Sequence, residues 1–261
     1  MVNIIFFCIS ILATTVGAIS GIGGGVIIKP VLDAFGLLSV STISFMSGCT
    51  VFAMAIVSLL KSHGSGVMLE VRKSTFLAIG AAIGGVVGKY LFDLMKSWFP
   101  GDVVVGATQS ALLILMTVFV FFFVRYKSKV HPKQVQNSAA CLLIGLALGM
   151  LSAFLGIGGG PINIAVLYYF FAMDSKTSAL NSIYIILFSQ ATSLVRTFAA
   201  DAVPAFDPWL LALMVAGGVG GGFLGSAVSR KLTNQGVDTL FSGVMLAIIA
   251  ISCFNFVRFL V

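Results

Sequence analysis

The chain has 261 residues, of which 59% are hydrophobic and only 9% charged, with a mean hydropathy of +1.12. That composition excludes an ordinary soluble domain, and long apolar runs without strand-like alternation favour an all-α, polytopic membrane bundle over a barrel. The net charge of +7 sits in short loops between apolar runs, where it reads as a topology signal and not as a nucleic-acid surface.

Ten apolar segments can be drawn, at about 4–19, 22–38, 42–60, 75–95 and 102–125, then 138–155, 157–173, 177–198, 208–229 and 236–259. The first has the look of a signal-peptide core. It lacks a positive charge before it and has an internal twin, so it is expected to belong to the fold. Between the two sets lies a basic stretch with Arg125, Lys127, Lys129 and Lys133. The expected organisation is a first membrane repeat over 1–126, a basic linker over 127–137 and a second repeat over 138–261.

The duplication is most visible in Gly21-Ile22-Gly23-Gly24-Gly25, which returns 135 residues later as Gly156-Ile157-Gly158-Gly159-Gly160. Each glycine costs a helix interior roughly 1 kcal/mol relative to Ala, so four in five positions break it. Each repeat is therefore expected to hold a glycine-broken helical hairpin, giving eight full spans or ten segments. Broken segments at matching places in two halves point to a transporter's binding site. Ser47 matches Ser182, and Gly84 and Gly88 match Gly221 and Gly225; this last set reads as close helix packing.

If all ten segments alternate, one face carries Lys61, Arg72, Lys73, Arg125, Lys127, Lys129, Lys133, Lys176, Arg230 and Lys231, and the other only Lys96, Arg196 and Arg258. The positive-inside rule then puts the 125–133 linker in the cytosol. Five segments per half also make the halves inverted repeats, with their glycine tips meeting near the midplane. Glycine N–H groups followed by helix starts, at about Val26 and Pro161, suit a small anion. The candidate substrate-binding residues are Gly21, Gly23, Gly24, Gly25, Gly156, Gly158, Gly159 and Gly160, with Ser47, Asn163, Asn181 and Ser182 beside them.

Three further residues form an outer set. Lys29, with Asp33 at i+4, is a charge inside a short apolar segment, where a local ion pair is the competing explanation. Cys49 and Gln190 lie near the same segments. The cysteines show no CxxC spacing, so neither a metal nor a cofactor is expected. His63 and His131 stand in loops away from any membrane serine, and no nucleotide motif occurs, so no catalytic residue is assigned and an enzyme is not expected.

The spacing Gly21-x-Gly23-Gly24-Gly25 with Pro30-x-Leu32, its second copy, and Asn181-Ser182 about twenty residues downstream resembles the repeated signature of the sulfite exporter TauE/SafE family. The resemblance spans nearly the whole chain. It implies a secondary carrier for small, often sulfur-containing anions such as sulfite, thiosulfate or sulfoacetate, embedded in the bilayer of the cell membrane. This sequence departs from the pattern with Ala165 in place of a second Pro30, and with Met46 before Ser47. The coupling ion (H+ or Na+) and homodimer formation stay open. Two other readings also stay open: a passive anion channel of the same fold, and a non-transporting subunit that docks a partner.

Overall fold

The computed structural model describes residues 2–62, 67–99 and 101–260; His63 lies outside them. Among the described residues ten α-helices follow one another: α1 (Val2–Ser20), α2 (Gly25–Phe35), α3 (Val40–Ser62), α4 (Val71–Trp98), α5 (Asp102–Tyr126), α6 (Ser138–Leu155), α7 (Pro161–Phe171), α8 (Ser175–Ala199), α9 (Pro208–Lys231) and α10 (Asn234–Leu260). Eight are long and apolar enough to cross a membrane. The other two, α2 and α7, have 11 residues each, about 16 Å of helix and half of a hydrocarbon core. This is a multi-pass helical membrane protein.

The helix ends follow local chemistry. Asn137, Asp174 and Asp207 accept N–H bonds at the starts of α6, α8 and α9, satisfying donors that a helix start leaves free. Pro161 and Pro208 occupy first-turn positions, where a missing N–H costs nothing. Helix α2 begins at Gly25, one residue before the expected Val26, and the segment drawn over 22–38 contracts to 25–35.

Corresponding helices of the two halves run in opposite directions. In the pair α3 and α8, a Cβ at Gly48 would lie 2.9 Å from Gln190 Oε1, whereas Ser58, ten residues on, shares a cavity with Ala179 and Ile183. In the pair α5 and α10, Gly106 faces Phe259 and Lys127 Nζ lies 2.5 Å from Asp238 at the other end. The halves are therefore inverted repeats. They also interlock, because each half's first helix packs along the other half's fourth.

Those two seams, α4 with α6 and α1 with α9, are the most extensive helix contacts. On α4, Gly80 and Gly84 face the carbonyls of Leu142 and Leu146; on α6, Gly145 and Gly149 face those of Leu77 and Ala81, each with a Cβ position 2.1 Å from the oxygen. No side chain fits there, so the glycines set how closely the two backbones approach. On the other seam, Gly217, Gly221 and Gly225 of α9 face Ser10, Thr14 and Ala18 of α1.

Candidate functional site

Both glycine segments turn the chain sharply. Gly21 and Gly23 have φ of 74° and 78°, and Gly156 and Gly158 repeat this at 66° and 71°, a left-handed conformation that glycine adopts without a Cβ penalty. The first turn folds α2 back along α1, so that a Cβ at Gly24 would lie 2.6 Å from Thr14 Cγ2. Each short helix is thus the returning arm of a hairpin.

The two tips abut. A Cβ at Gly25 would lie 2.0 Å from Ile157 O, one at Gly159 would lie 3.1 Å from Ile22 O, and one at Gly23 would lie 3.7 Å from Gly158 O. Val51 touches both tips through Gly23 and Gly158, and Ile186 does so through Gly23 and Gly159. Each of these residues stands near the middle of its long helix, α3 or α8.

Hydrogen bonding at this contact is incomplete. Among the described residues, none accepts a hydrogen bond from the N–H groups of Ile22, Gly23, Gly24 or Gly25, nor from those of Gly158, Gly159 or Gly160, and all seven residues are buried. Ser47 Oγ, 3.0 Å from the Gly25 Cβ position, is buried without a partner, as is Asn163 Oδ1. Buried polar groups are paired in the great majority of cases, so such a concentration of spare donors calls for an explanation. Two helix N-termini beside spare N–H groups supply both the donors and the partial positive charge that hold an anion.

The other candidates divide. Ser182 Oγ accepts a hydrogen bond from Asn163 Nδ2 at 3.2 Å, which links α8 to the start of α7. Gln190 stands at the second tip, its Nε2 2.9 Å from the Gly158 Cβ position. Lys29 is buried and pairs with Asp33 at 2.7 Å, while its Cε lies 3.5 Å from the Gly156 Cβ position. Asn181 faces elsewhere. Its Oδ1 accepts from Glu70 N–H and the Ser74 hydroxyl, and its Nδ2 donates to Thr177 O and, at 3.4 Å, to Met68 O, which ties the start of α4 to α8. Cys49 packs against the apolar cluster around Phe45 and Met46.

Two cavities lead toward the tips from opposite faces. The first, about 50 Å³, is lined by Ala18, Ser58, Ala179 and Ser226 together with Lys61, Lys176 and Arg230. Its inverted mate, about 30 Å³, is lined at matching positions by Ala153, Ser193, Ser44 and Lys89, and also by Gly156 and Gln190. Among the described residues the first has three cationic residues and no acid in its lining. In the second, Lys89 is 3.3 Å from Asp93, which also pairs with Arg196 at 2.5 Å. Ser44 and the cations that line these cavities are not among the candidates the sequence offers. Lys61, Lys176 and Arg230 were in view only as loop charge.

The sequence model of the family described as Sulfite exporter TauE/SafE matches residues 6–252. The probable membrane transporter protein YunE of Bacillus subtilis (strain 168) is 25% identical over 276 residues, covering 94% of this chain and 95% of that protein. The probable membrane transporter protein YdhB of the same organism is 29% identical over 122 residues, 44% of this chain and 46% of its own length. No solved structure is a significant match.

Proposed function

The chain belongs to the sulfite exporter TauE/SafE family, a family of membrane transporters, and on that premise we propose that it carries a small sulfur oxyanion or organosulfonate by alternating access. One observation carries this reading: seven buried backbone N–H groups at the two abutting tips make no hydrogen bond within the described residues. An oxyanion such as sulfite offers acceptors to these donors without requiring a protein cation. Ser47 and Asn163 stand beside them to complete its shell, and Ser182 holds the Asn163 amide in place. The preference for sulfur comes from the family and not from the geometry.

The inverted cavities supply the two ways in. By the positive-inside rule the face with Lys61, Lys176, Arg230 and the 125–133 linker is cytosolic, and its cationic cavity concentrates anions at that entrance. Rocking of one repeat against the other would open one cavity to the tips while closing its mate.

Uptake of radiolabelled sulfite into proteoliposomes holding the purified protein tests the reading. The expected result is saturable uptake inhibited by thiosulfate and sulfoacetate but not by chloride. Ser47→Ala and Asn163→Ala should each raise the half-saturating concentration about tenfold, the loss of one hydrogen bond to a charged group. Flux that never saturates would favour a channel, and absence of flux from folded protein would remove the carrier.

A further inference from the structure

A second polar site lies off the tips, between α2, α5 and α10. Lys29, Asp33, Gln109, Ser110, Ser252 and Asn255 line a cavity of about 10 Å³, room for about one water-sized occupant. Asp33 is 6% exposed, Gln109 3%, Ser252 1% and Asn255 1%. In each of these four side chains one oxygen makes no hydrogen bond to the described residues: Asp33 Oδ1, Gln109 Oε1, Ser252 Oγ and Asn255 Oδ1.

The amide orientations are dictated by backbone. Gln109 Nε2 donates to Phe154 O at 2.6 Å, and Asn255 Nδ2 donates to Pro30 O at 2.7 Å. Their carbonyl oxygens are therefore the atoms left over. Lys29 Nζ is engaged with Asp33 Oδ2, leaving Oδ1 without a donor. A water can donate two hydrogen bonds, so with it the three carbonyl-type oxygens are covered only if the Ser252 hydroxyl gives up its single O–H to one of them. One cation satisfies them together.

We propose that this cavity binds Na+, held by Asp33 Oδ1, Gln109 Oε1, Ser252 Oγ and Asn255 Oδ1. The donor set is all hard oxygen with a single carboxylate, which suits a small monovalent ion. Half-helix C-terminal ends are a recurring place for such ions in carriers, and α2 is a half-helix whose last turn carries Asp33. Two of the last carbonyls of α2 are already taken, since Arg258 Nη1 donates to Asp33 O and Ala34 O at 2.7 Å each, and the oxygens left without partners in the cavity lining belong to side chains.

Charge then links this site to the tips. The charged groups acting on Asp33 are Lys29, Asp102 on α5 and Arg258 on α10, so that with Asp33 itself there are two of each sign. A bound Na+ adds one positive charge beside Leu155 and Ile157, which line the cavity and flank Gly156 of the second tip. Each ion thereby favours the other, and this coupling rests on the anion reading above. The matching place in the inverted half carries Ile164 and Tyr168 for Lys29 and Asp33, and Phe119 and Phe122 for Ser252 and Asn255. One Na+ per chain follows.

The test is thermal unfolding of the full-length protein in detergent, without anionic substrate, at fixed pH and ionic strength, as NaCl replaces choline chloride or KCl. The expected result is a saturable, Na+-specific rise in melting temperature of about 5 °C at one hundred times Kd. Ser252→Ala should move the half-effect at least tenfold higher in Na+, whereas Ser242→Ala, at the place that matches Gln109, should leave it unchanged. Equal responses to all three salts would overturn the site, as would stabilisation by acid alone, which would make it a proton site. A Na+ response without sulfite flux would keep the site and remove the carrier reading. Sulfite flux without a Na+ response would do the reverse.

Discussion

The two glycine tips start alike and finish differently. The glycines at the first and third positions of the motif share a left-handed φ, but the fourth position has φ of −63° at Gly24 and 155° at Gly159. The fifth is helical at Gly25 and extended at Gly160, with φ of −170°. The cause is the next residue. Pro161 disfavours a helical conformation in the residue before it, so Gly160 stays extended and α7 begins one place later in the motif than α2. Val26 imposes no such restriction. The same five letters therefore present different surfaces: Gly25 is pressed against Ile157 O, while a Cβ at Gly160 would meet only Ile157 Cδ1, at 3.5 Å.

Substituting the glycine at the fifth position of each tip gives the largest separation. Gly25→Ala would drive a methyl into a backbone carbonyl that cannot move without shifting the other tip, at a cost of about 3 kcal/mol. The expected outcome is loss of most of the monodisperse protein on size exclusion, together with loss of sulfite uptake. Gly160→Ala places an ordinary Cβ in an ordinary extended backbone and should leave yield and melting temperature nearly unchanged. Equal damage at both positions would break the asymmetry.

The seams sharpen the comparison at a smaller scale. Ser10 and Thr14 of α1 occupy the places of Gly145 and Gly149 in α6. Thr14 Oγ1 donates to Gly217 O across the α1/α9 seam at 3.2 Å, whereas in the α4/α6 seam the atoms nearest the Cβ positions of Gly80, Gly84, Gly145 and Gly149 are all backbone. A Cβ at Gly84 meets Leu146 O at 2.1 Å, while at Gly221 the nearest atom is the Thr14 hydroxyl at 2.0 Å, which can rotate away, and the nearest backbone oxygen is Ile11 O at 2.7 Å. Gly84→Ala is expected to cost about 2 kcal/mol and Gly221→Ala about 1 kcal/mol, read as two different falls in melting temperature. The reverse order would mean that the glycine seam is the more deformable one.

How much of this was legible in the sequence depends on distance along the chain. Spans drawn over 102–125 and 138–155 meet helices at Asp102–Tyr126 and Ser138–Leu155, because hydropathy and end caps are local. The hairpins and inversion follow from repetition of one motif and an odd number of segments. Adjacency misled at Asn181 and Ser182. One residue step turns about 100° around a helix, so Ser182 meets Asn163 while Asn181 faces Ser74 on α4. Gln109, Ser252 and Asn255 share no motif with Asp33, and only the packing of α5 and α10 against α2 brings them together. Contacts between distant helices leave no spacing to read.

The smallest expected difference lies just outside the spans, at the starts of α3 and α8. Ser39 Oγ accepts the Thr42 N–H at 3.1 Å, and 135 residues on, Asp174 Oδ1 accepts the Thr177 N–H at 2.8 Å. The caps match in position but only one titrates. Partial burial disfavours the Asp174 carboxylate, yet the Thr177 bonds, Asn234 and the Lys176 charge outweigh it and hold the carboxyl below its ordinary value. A group with a depressed folded-state pKa contributes stability above its unfolded value, near pH 4, and loses it as pH falls through the folded value. Acid should therefore loosen α8 at its start while leaving the Ser39 cap of α3 intact. Because Asp174 is exposed, solvent screening keeps the effect small. Asp174→Ser, which copies the first repeat, should remove about 1–2 °C of the melting-temperature fall between pH 5 and pH 3, and Ser39→Asp should add a comparable amount. If neither variant changed the acid limb, cap chemistry would not distinguish the two repeats, and their difference in acid would have to originate deeper in the bundle.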